Sequence, residues 1–223
     1  VEHDVVIVGE AGNTPEMLDF YPASYDLVLS VSSTLLNDHK ASFATWSRHV
    51  DLVAPGQDIY STFRDNGYAE GFGTSYSAPM VAGTAALIRA QYRDLNALQV
   101  VELLRVNGDD IYDISANSPY VEYLGHGRLN MEKALNKTNN TSLRVTEVTP
   151  ITQFGSTIYG GDSLSLSLRW TNYLSALGAT QVTISSSSER LVIPNTTFEL
   201  PSFASLGTYS LFIPDLYVSE ETL

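Results

Sequence analysis

Residues 73–83 read GTSYSAPMVAG, and the chain continues through residues 84–92 as TAALIRAQY. The pattern predicts a tight turn at Gly73, because glycine adopts backbone conformations that other residues avoid, followed at once by a helix. Pro79 fits this helix only because it lies near the predicted start, where few hydrogen-bond donors are lost. The small residues that follow favour close packing against the helix backbone, so we predict that this helix is buried.

The turn delivers Ser75 to the first turn of the predicted helix. A hydroxyl in that position lies beside free peptide N–H groups and the positive end of the helix dipole. Such a setting favours a nucleophile whose attack generates negative charge. A simpler interpretation is that Ser75 or Thr74 only caps the helix, which is the usual meaning of an isolated Gly-Thr-Ser tripeptide.

Taken whole, residues 73–83 resemble, almost letter for letter, the nucleophile motif of the subtilases, the subtilisin-like serine proteases. The resemblance implies that Ser75 is the catalytic serine of an endopeptidase that hydrolyses peptide bonds through an acyl-enzyme. It covers roughly residues 4–135. The fold that it implies is the C-terminal, serine-bearing part of a three-layer α/β domain with a parallel sheet.

A second segment of the chain fits the same family. Residues 4–9, DVVIVG, form an apolar run that predicts a strand buried on both faces of a parallel sheet. Residues 10–13, EAGN, form the loop at its carboxyl end, where open α/β sheets bind ligands. An asparagine in a loop is ordinarily a turn former. The resemblance to the subtilases, however, implies that the Asn13 amide donates a hydrogen bond to the oxyanion.

Residues 20–25, FYPASY, form an aromatic loop before a predicted strand at residues 27–31. In the subtilases the matching loop borders the primary specificity pocket, and the peptide bond before its proline is often cis. The resemblance therefore implies a substrate pocket that Phe20 narrows and that Glu10 biases electrostatically. The expected pocket residues are Glu10, Ala11, Gly12, Phe20 and Thr74.

The same resemblance implies a structural cation near this loop. In several subtilases, backbone carbonyls just after the proline bind a metal ion, and the matching residues here are Ala23, Tyr25 and Val28. The ion would be calcium or sodium. The chemistry itself is expected to need no cofactor.

A serine protease of this kind needs a base that takes the serine proton and a carboxylate that orients this base. Subtilases carry them as an Asp and a His before the serine, in motifs that are absent from this chain. The histidines present, His3, His39, His49 and His126, lie in contexts typical of surface or structural residues. We therefore expect the catalytic Asp and His upstream of Val1, in a missing N-terminal half of the domain, and predict that this fragment alone is inactive.

Two other functions stay open, a protease-derived scaffold without activity and a binding module that acts through the second half of the chain. The sequence upstream of Val1 would separate an enzyme from an inert scaffold. A long apolar and aromatic stripe on an exposed face of the second half would favour a binding module. The serine-rich residues 185–188 do not show one.

Two further helix starts are recognisable before the composition changes. Asn96 and Gln99 have the spacing of a capping box, and Asn130 is expected to cap a short helix that closes the catalytic domain. The sequence then turns polar. We therefore assign residues 1–138 to a partial peptidase domain and residues 139–145 to a linker.

Beyond this linker the hydrophobic period changes to that of strands. Leu164, Leu166, Leu168 and Trp170 alternate with polar residues, the pattern of a half-buried strand. Short alternating segments continue towards the end of the chain and predict an antiparallel β-sandwich of immunoglobulin-like type. Because the strand count is low for a closed sandwich, we expect residues 146–223 to be a truncated accessory domain, similar to those of secreted bacterial proteases.

The composition excludes several kinds of partner. The formal net charge is -13, from 12 Lys and Arg residues against 25 Asp and Glu, so nucleic acid and anionic membrane surfaces would repel the chain. There is no cysteine, which excludes disulfides and thiolate metal sites, and no apolar run is long enough for a membrane span. We expect a secreted or extracellular protein whose partners are protein or peptide substrates.

Overall fold

In the computed structural model, which describes residues 3–136, 139–152 and 158–220, the chain forms two compact units, Val1–Thr138 and Asn139–Leu223. The first unit has α/β content with a parallel sheet, as the sequence predicts. This sheet consists of β1 (Ile7–Glu10), β2 (Val28–Thr34) and β3 (Val50–Pro55), with β2 in the middle. The other elements are the hairpin β4 (Ile59–Phe63) and β5 (Gly67–Gly71), the helices α1 (Thr74–Gln91), α2 (Ala97–Val106) and α3 (Met131–Leu135), and a 3-10 helix at Ser115–Tyr120.

Strand β1 is less buried than the sequence predicts. Its apolar run predicts burial on both faces, but Ile7 is 50% exposed, and Val5, just before the strand, is 54% exposed. The reason is that β1 lies at the edge of the sheet formed by the described residues, where it pairs with β2 alone. The core of this unit lies in the other two strands, where Leu29, Val31 and Leu52 are fully buried.

Helix α1 packs one face against the parallel sheet and against α2 and α3. The buried residues of this face are Thr74, Ser77, Val81, Thr84, Ala85 and Ile88. The prediction that the whole helix is buried is wrong, because Ala82, Gly83, Ala86 and Leu87 are exposed. A Cβ added at Gly83 would meet no atom within 4 Å. The described elements cover only one side of α1, so its small-residue face lies open.

Both predicted helix starts are confirmed. Asn96 and Gln99 form a reciprocal capping box at α2, in which each side chain accepts from the other residue's N–H, at 3.0 and 3.1 Å. Asn130 caps α3 by accepting from the Lys133 N–H at 2.8 Å. These bonds satisfy N–H groups that have no acceptor within their own helix.

The second unit consists of β-strands. Its larger sheet pairs β6 (Leu143–Thr152), β7 (Ser163–Asn172), β11 (Thr208–Val218) and β9 (Leu191–Val192), all antiparallel, and its smaller sheet pairs β8 (Thr180–Thr183) with β10 (Thr197–Leu200). Residues of both sheets share one buried apolar cluster, which contains Leu164, Leu168, Leu200, Phe203, Leu211, Ile213 and Leu216. The alternating leucines of β7 therefore face the core, as their spacing predicts.

Strand β6 has no clear signature in the sequence. It begins at Leu143, inside residues 139–145, which the sequence assigns to a linker, so the linker assignment is too long. The pairing of β6 with β7 shifts between Val145 and Glu147, where a β-bulge interrupts the period of two. Val145 and Val148 consequently lie on the same face although their spacing is odd. Within the described residues, no helix is long and apolar enough to cross a lipid bilayer.

An ionic network ties the last segments of the first unit to one another and to Asp38, between β2 and β3. Arg128 pairs with Asp38 at 2.8 Å and with Asp109 at 2.5 Å, and Lys133 pairs with Asp109 at 2.6 Å. Desolvation raises the pKa of Asp109, but hydrogen bonds from Lys133, Arg128 and Asn130 outweigh it and lower this pKa to about 2. The ionised form of Asp109 is therefore specifically stabilised by folding.

We expect Asp109→Asn to destabilise the protein in a pH-dependent way. Because the pKa of Asp109 is lowered on folding, its contribution is complete above the ordinary carboxyl pKa and disappears as the pH falls towards 2. Urea unfolding at neutral pH should show a loss on the order of 2 kcal/mol, and the pH-dependent part of this loss should vanish near pH 2. Asp65→Asn, in an exposed turn, is the control. A loss that does not change with pH would contradict the assignment.

Candidate active site

Backbone contacts at Gly73 fix the start of α1. The Gly73 N–H donates to the Gly56 carbonyl at 2.8 Å, and the φ angle of Gly73 is 134°, which favours glycine. A Cβ added at Gly56 would lie 2.2 Å from Ser33 Oγ and 2.3 Å from Ser77 Oγ. The Ser77 hydroxyl donates to the Ala54 carbonyl at 2.9 Å. The start of the helix is therefore held against the carboxyl end of β3.

Thr45 holds the loop that follows β1. Its hydroxyl accepts from the Thr14 N–H at 3.0 Å and donates to the Thr14 carbonyl at 2.7 Å, while the Thr45 N–H donates to the Gly12 carbonyl at 3.0 Å. On the other side, Ala11 is buried in the same apolar cluster as Val53. The side chain of Ala11 therefore faces the core, and only its backbone can line a pocket.

The side chain of Asn13 reaches from this loop to the start of α1. Its Oδ1 accepts from the Thr74 N–H at 2.9 Å and lies 3.1 Å from Thr74 Oγ1. Because Oδ1 is turned towards the helix, the Nδ2 amino group points away from Thr74 and can donate to another group. The amide also lies against Gly73, where an added Cβ would be 3.3 Å from Nδ2.

Ser75 occupies the second position of α1, and its side chain is exposed. A backbone N–H at this position has no acceptor within the helix, and among the described residues it donates no other hydrogen bond. Among the described residues, the Ser75 N–H and the Nδ2 of Asn13, whose Oδ1 is bonded to the neighbouring Thr74, are therefore two donors without an acceptor. Pro79 lies further inside α1 and, lacking an N–H, leaves the Ser75 carbonyl without its helical donor.

The Ser75 hydroxyl is hydrogen-bonded to Glu10. Ser75 Oγ and Thr74 Oγ1 both donate to Glu10 Oε2, each at 2.7 Å. Thr74 is fully buried and its hydroxyl also accepts from the Gly12 N–H at 3.2 Å, so Thr74 joins the loop to the helix. Glu10 is half-buried, and no lysine, arginine or histidine among the described residues forms an ion pair with it.

Phe20 lies against the same loop. The φ angle of Gly12 is 103°, and an added Cβ there would lie 3.0 Å from the Phe20 ring. The ring therefore covers the α-carbon of Gly12. The next peptide bond, Tyr21–Pro22, is cis, as the sequence resemblance implies. The structure thus brings Glu10, Gly12 and Phe20 together around the loop that carries Asn13.

The described residues place no histidine in contact with Ser75. His49 lies 3.8 Å from Asp19, and His126 lies 2.8 Å from Arg105. Neither of these contacts involves Ser75.

The segment expected to hold a cation is a compact turn. Ala23 is buried, and the Tyr25 carbonyl accepts from the Val28 N–H at 3.2 Å. Among the described residues there is no group of three or more His, Asp or Glu side chains suited to a metal ion. Any ion bound here would depend on backbone carbonyl oxygens.

Two features of the site carry no sequence signal strong enough to reveal them. Thr45 is one of several hydroxyl residues in its segment, and only its two bonds to Thr14 show that it anchors the loop. Glu10 is expected beside the pocket, but its bond to Ser75 depends on side-chain orientation. A carboxylate at the end of an apolar run that predicts a strand is the one sequence signal that points to it.

Comparison with known proteins gives the family of this chain. The model of the subtilase family, Peptidase_S8, matches residues 1–120. The chain belongs to the subtilase family. A thermophilic serine proteinase from Bacillus sp. (strain AK1) is 39% identical over 130 residues, which is 58% of this chain and 30% of the relative. Thermitase from Thermoactinomyces vulgaris is 37% identical over 130 residues, which is 58% of this chain and 44% of thermitase.

Solved structures show the same fold. The prenylagaramide maturation protease PagA matches with a TM-score of 0.54 at 24% sequence identity, over 60% of this chain and 50% of that chain. At this identity the likeness concerns the fold alone. The subtilase chain described here spans less than half the length of the two curated relatives named above.

Proposed function

We propose that this subtilase chain is the serine-bearing part of an endopeptidase that hydrolyses peptide bonds through an acyl-enzyme. The observation that carries the proposal is the exposed Ser75 hydroxyl at the start of α1, with the Asn13 amide and the Ser75 N–H beside it. In this mechanism Ser75 Oγ attacks the carbonyl carbon and loses its proton to a base. The carbonyl oxygen becomes an oxyanion.

Asn13 Nδ2 and the Ser75 N–H are the proposed donors to this oxyanion. The negative charge appears only as the barrier is crossed, so the two donors lower the barrier more than they tighten binding of the substrate. The bond between Thr74 and Asn13 Oδ1 already orients the amide, which means that little reorganisation is needed. The positive end of the α1 dipole acts on the same charge.

The base and its orienting carboxylate are proposed to lie in an upstream half of the same catalytic domain. Two apolar surfaces support this: the edge of β1 at Ile7, and the face of α1 that includes Ala82 and Ala86. Further strands and helices would cover both surfaces, and exposed strand edges are otherwise a liability. This chain alone is then inactive, because a serine hydroxyl without a positioned base is a weak nucleophile.

The primary substrate pocket is proposed to lie next to the loop after β1. The backbone of Ala11 and Gly12 would form one wall, Phe20 would narrow the pocket, and Glu10, held by Thr74, would give it a negative charge. The contacts of Phe20 with Gly12 and of Glu10 with Thr74 support this arrangement. Hydrolysis of peptides that differ only in the residue before the cleaved bond measures the preference of the pocket.

A structural cation, calcium or sodium, is proposed at the backbone carbonyls of Ala23, Tyr25 and Val28. Carbonyl oxygens are hard ligands of the kind that calcium takes, and the hydrogen bond to the Tyr25 carbonyl leaves one of its lone pairs available. The ion would steady the loop that carries Phe20 and take no part in the chemistry. Thermal unfolding midpoints that are equal in calcium, sodium and potassium chloride at matched ionic strength would exclude the site.

We also infer that the second unit is an accessory, immunoglobulin-like β-sandwich of a secreted protease. Its two sheets share one apolar cluster, and the net charge of -13 suits a protein that stays dissolved. An accessory role means that the full-length enzyme without residues 139–223 still hydrolyses short peptides. Loss of that activity despite a folded catalytic domain would show that the unit is part of the catalytic machinery.

The first test concerns the nucleophile. A phosphonofluoridate should label the full-length protein at Ser75, because only a serine with a positioned base reacts rapidly. Ser75→Ala should abolish both labelling and peptide hydrolysis, whereas Ser118→Ala, at an exposed hydroxyl, should change neither. The 223-residue chain alone should not be labelled. Rapid and exclusive labelling of Ser75 in that chain would show that its base is already present.

The second test concerns Asn13. Asn13→Leu in the full-length protein should lower kcat by about 10²- to 10³-fold, a magnitude that comes from the same donor in a subtilisin, and leave KM nearly unchanged. Such a pattern identifies an interaction that is made in the transition state.

Asn13→Asp is the matched variant, because it keeps an oxygen for the Thr74 N–H but removes the Nδ2 donor. It should still fold, with some loss of stability because the new carboxylate lies near Glu10, and it should lose turnover. Full activity in Asn13→Asp, or a raised KM at unchanged kcat in Asn13→Leu, would remove Asn13 from the oxyanion site.

A further inference from the structure

Glu10 brings an uncompensated negative charge to the nucleophile. Its carboxylate is half-buried, and none of the described cationic side chains pairs with it. Both hydrogen bonds that it accepts, from Thr74 and Ser75, end on Oε2. An ionised carboxylate can accept about four hydrogen bonds. In the described residues Oε1 therefore has unused acceptor capacity beside the reacting hydroxyl.

The position of Glu10 limits which part of a substrate can reach it. A scissile carbonyl that is attacked by Ser75 Oγ lies close to that atom, and Glu10 Oε2 is 2.7 Å from the same Oγ. The side chain closest to this carboxylate is then one that flanks the cleaved bond. On the side of the loop after β1, Phe20 covers Gly12, so a slender side chain fits there better than a broad one.

We propose that Glu10 binds the cationic side chain of the substrate residue before the cleaved bond, so that the enzyme prefers lysine or arginine at this position. This inference rests on the proposed peptidase function. An ammonium or guanidinium group donates to the free Oε1 and supplies the positive charge that the site lacks. A neutral side chain leaves the half-buried carboxylate unpaired, and an acidic side chain meets like charge.

Pairing with a cation also changes the state of Ser75. In the free chain the Ser75 proton is directed at Glu10, whereas attack requires that this proton be directed at the catalytic base. A substrate cation competes for the lone pairs of the carboxylate and weakens its hold on the hydroxyl. The preference for a cationic side chain should therefore appear in kcat as well as in KM.

The test compares two peptides in the full-length protein that differ only in lysine or norleucine before the cleaved bond. Norleucine has nearly the same shape and carries no charge. The kcat/KM ratio of lysine to norleucine should exceed one in the wild type. It should fall by about 10- to 100-fold in Glu10→Gln, the range expected for a charge-assisted hydrogen bond.

Two further variants control this comparison. Glu10→Asp keeps the charge and should retain most of the lysine preference, although its carboxylate is withdrawn by one methylene. Glu132→Gln changes the net charge by the same amount at an exposed residue of α3, and should leave the ratio unchanged. Thermal unfolding of each variant checks that it is folded.

Calorimetry provides a readout that is independent of turnover. A product peptide that ends in lysine should bind the wild type more tightly than one that ends in norleucine, and Glu10→Gln should abolish the difference.

If the kcat/KM ratio of lysine to norleucine is the same in Glu10→Gln as in the wild type, the inference is overturned. This holds even if Glu10→Gln slows the hydrolysis of both peptides equally, because Glu10 then acts on Ser75 alone. If no peptide is hydrolysed and Ser75 is not labelled, the proposed peptidase function fails, and the binding comparison decides the role of Glu10.

Discussion

The hydrogen bond from the Thr74 N–H to Asn13 Oδ1 joins two segments that are 61 residues apart in the chain. The other features of the site depend on this long-range hydrogen bond. It turns the Asn13 amino group away from Thr74, and it brings Ser75 next to Glu10 at the carboxyl end of β1. The Thr74 hydroxyl adds its bond to Glu10. One buried residue, Thr74, thus contacts the proposed oxyanion donor and the carboxylate and directly precedes the proposed nucleophile.

The sequence is sufficient to predict the parts of the site that depend on local chemistry. The glycine turn predicts that Ser75 lies in the first turn of a helix, and the apolar strand predicts that Asn13 lies in the loop after it, whereas the roles proposed for both residues come from the resemblance to the subtilases. Both residues lie where these patterns put them. The bond between Glu10 and Ser75 could not be predicted, because it depends on which way two side chains point across a long-range contact. The hydrophobic periodicity of a sequence carries no information about the direction of a single side chain.

The fold shows the same division between local and long-range information. The caps of Asn96 and Asn130 depend on a few neighbouring residues, and both predictions are confirmed. The burial of β1 and α1 depends on what packs against them, so their apolar sequences predict more burial than the described residues provide. The sequence does not predict strand β6 clearly, because a bulge at Val145 interrupts the alternation of apolar and polar residues that is typical of a strand.

Glu10 places a negative charge where the proposed reaction creates another. Two unit charges about 6 Å apart near a protein surface repel by on the order of 3 kcal/mol, so an unpaired carboxylate at this position opposes formation of the oxyanion. The dipole of α1 offsets part of this repulsion, and the base, once it has taken the proton from Ser75, offsets more. The remaining repulsion is smallest when the substrate itself brings a positive charge to Glu10. In the proposed enzyme, a carboxylate here would therefore favour cationic substrates twice, by attraction in the bound state and by relief of repulsion in the transition state.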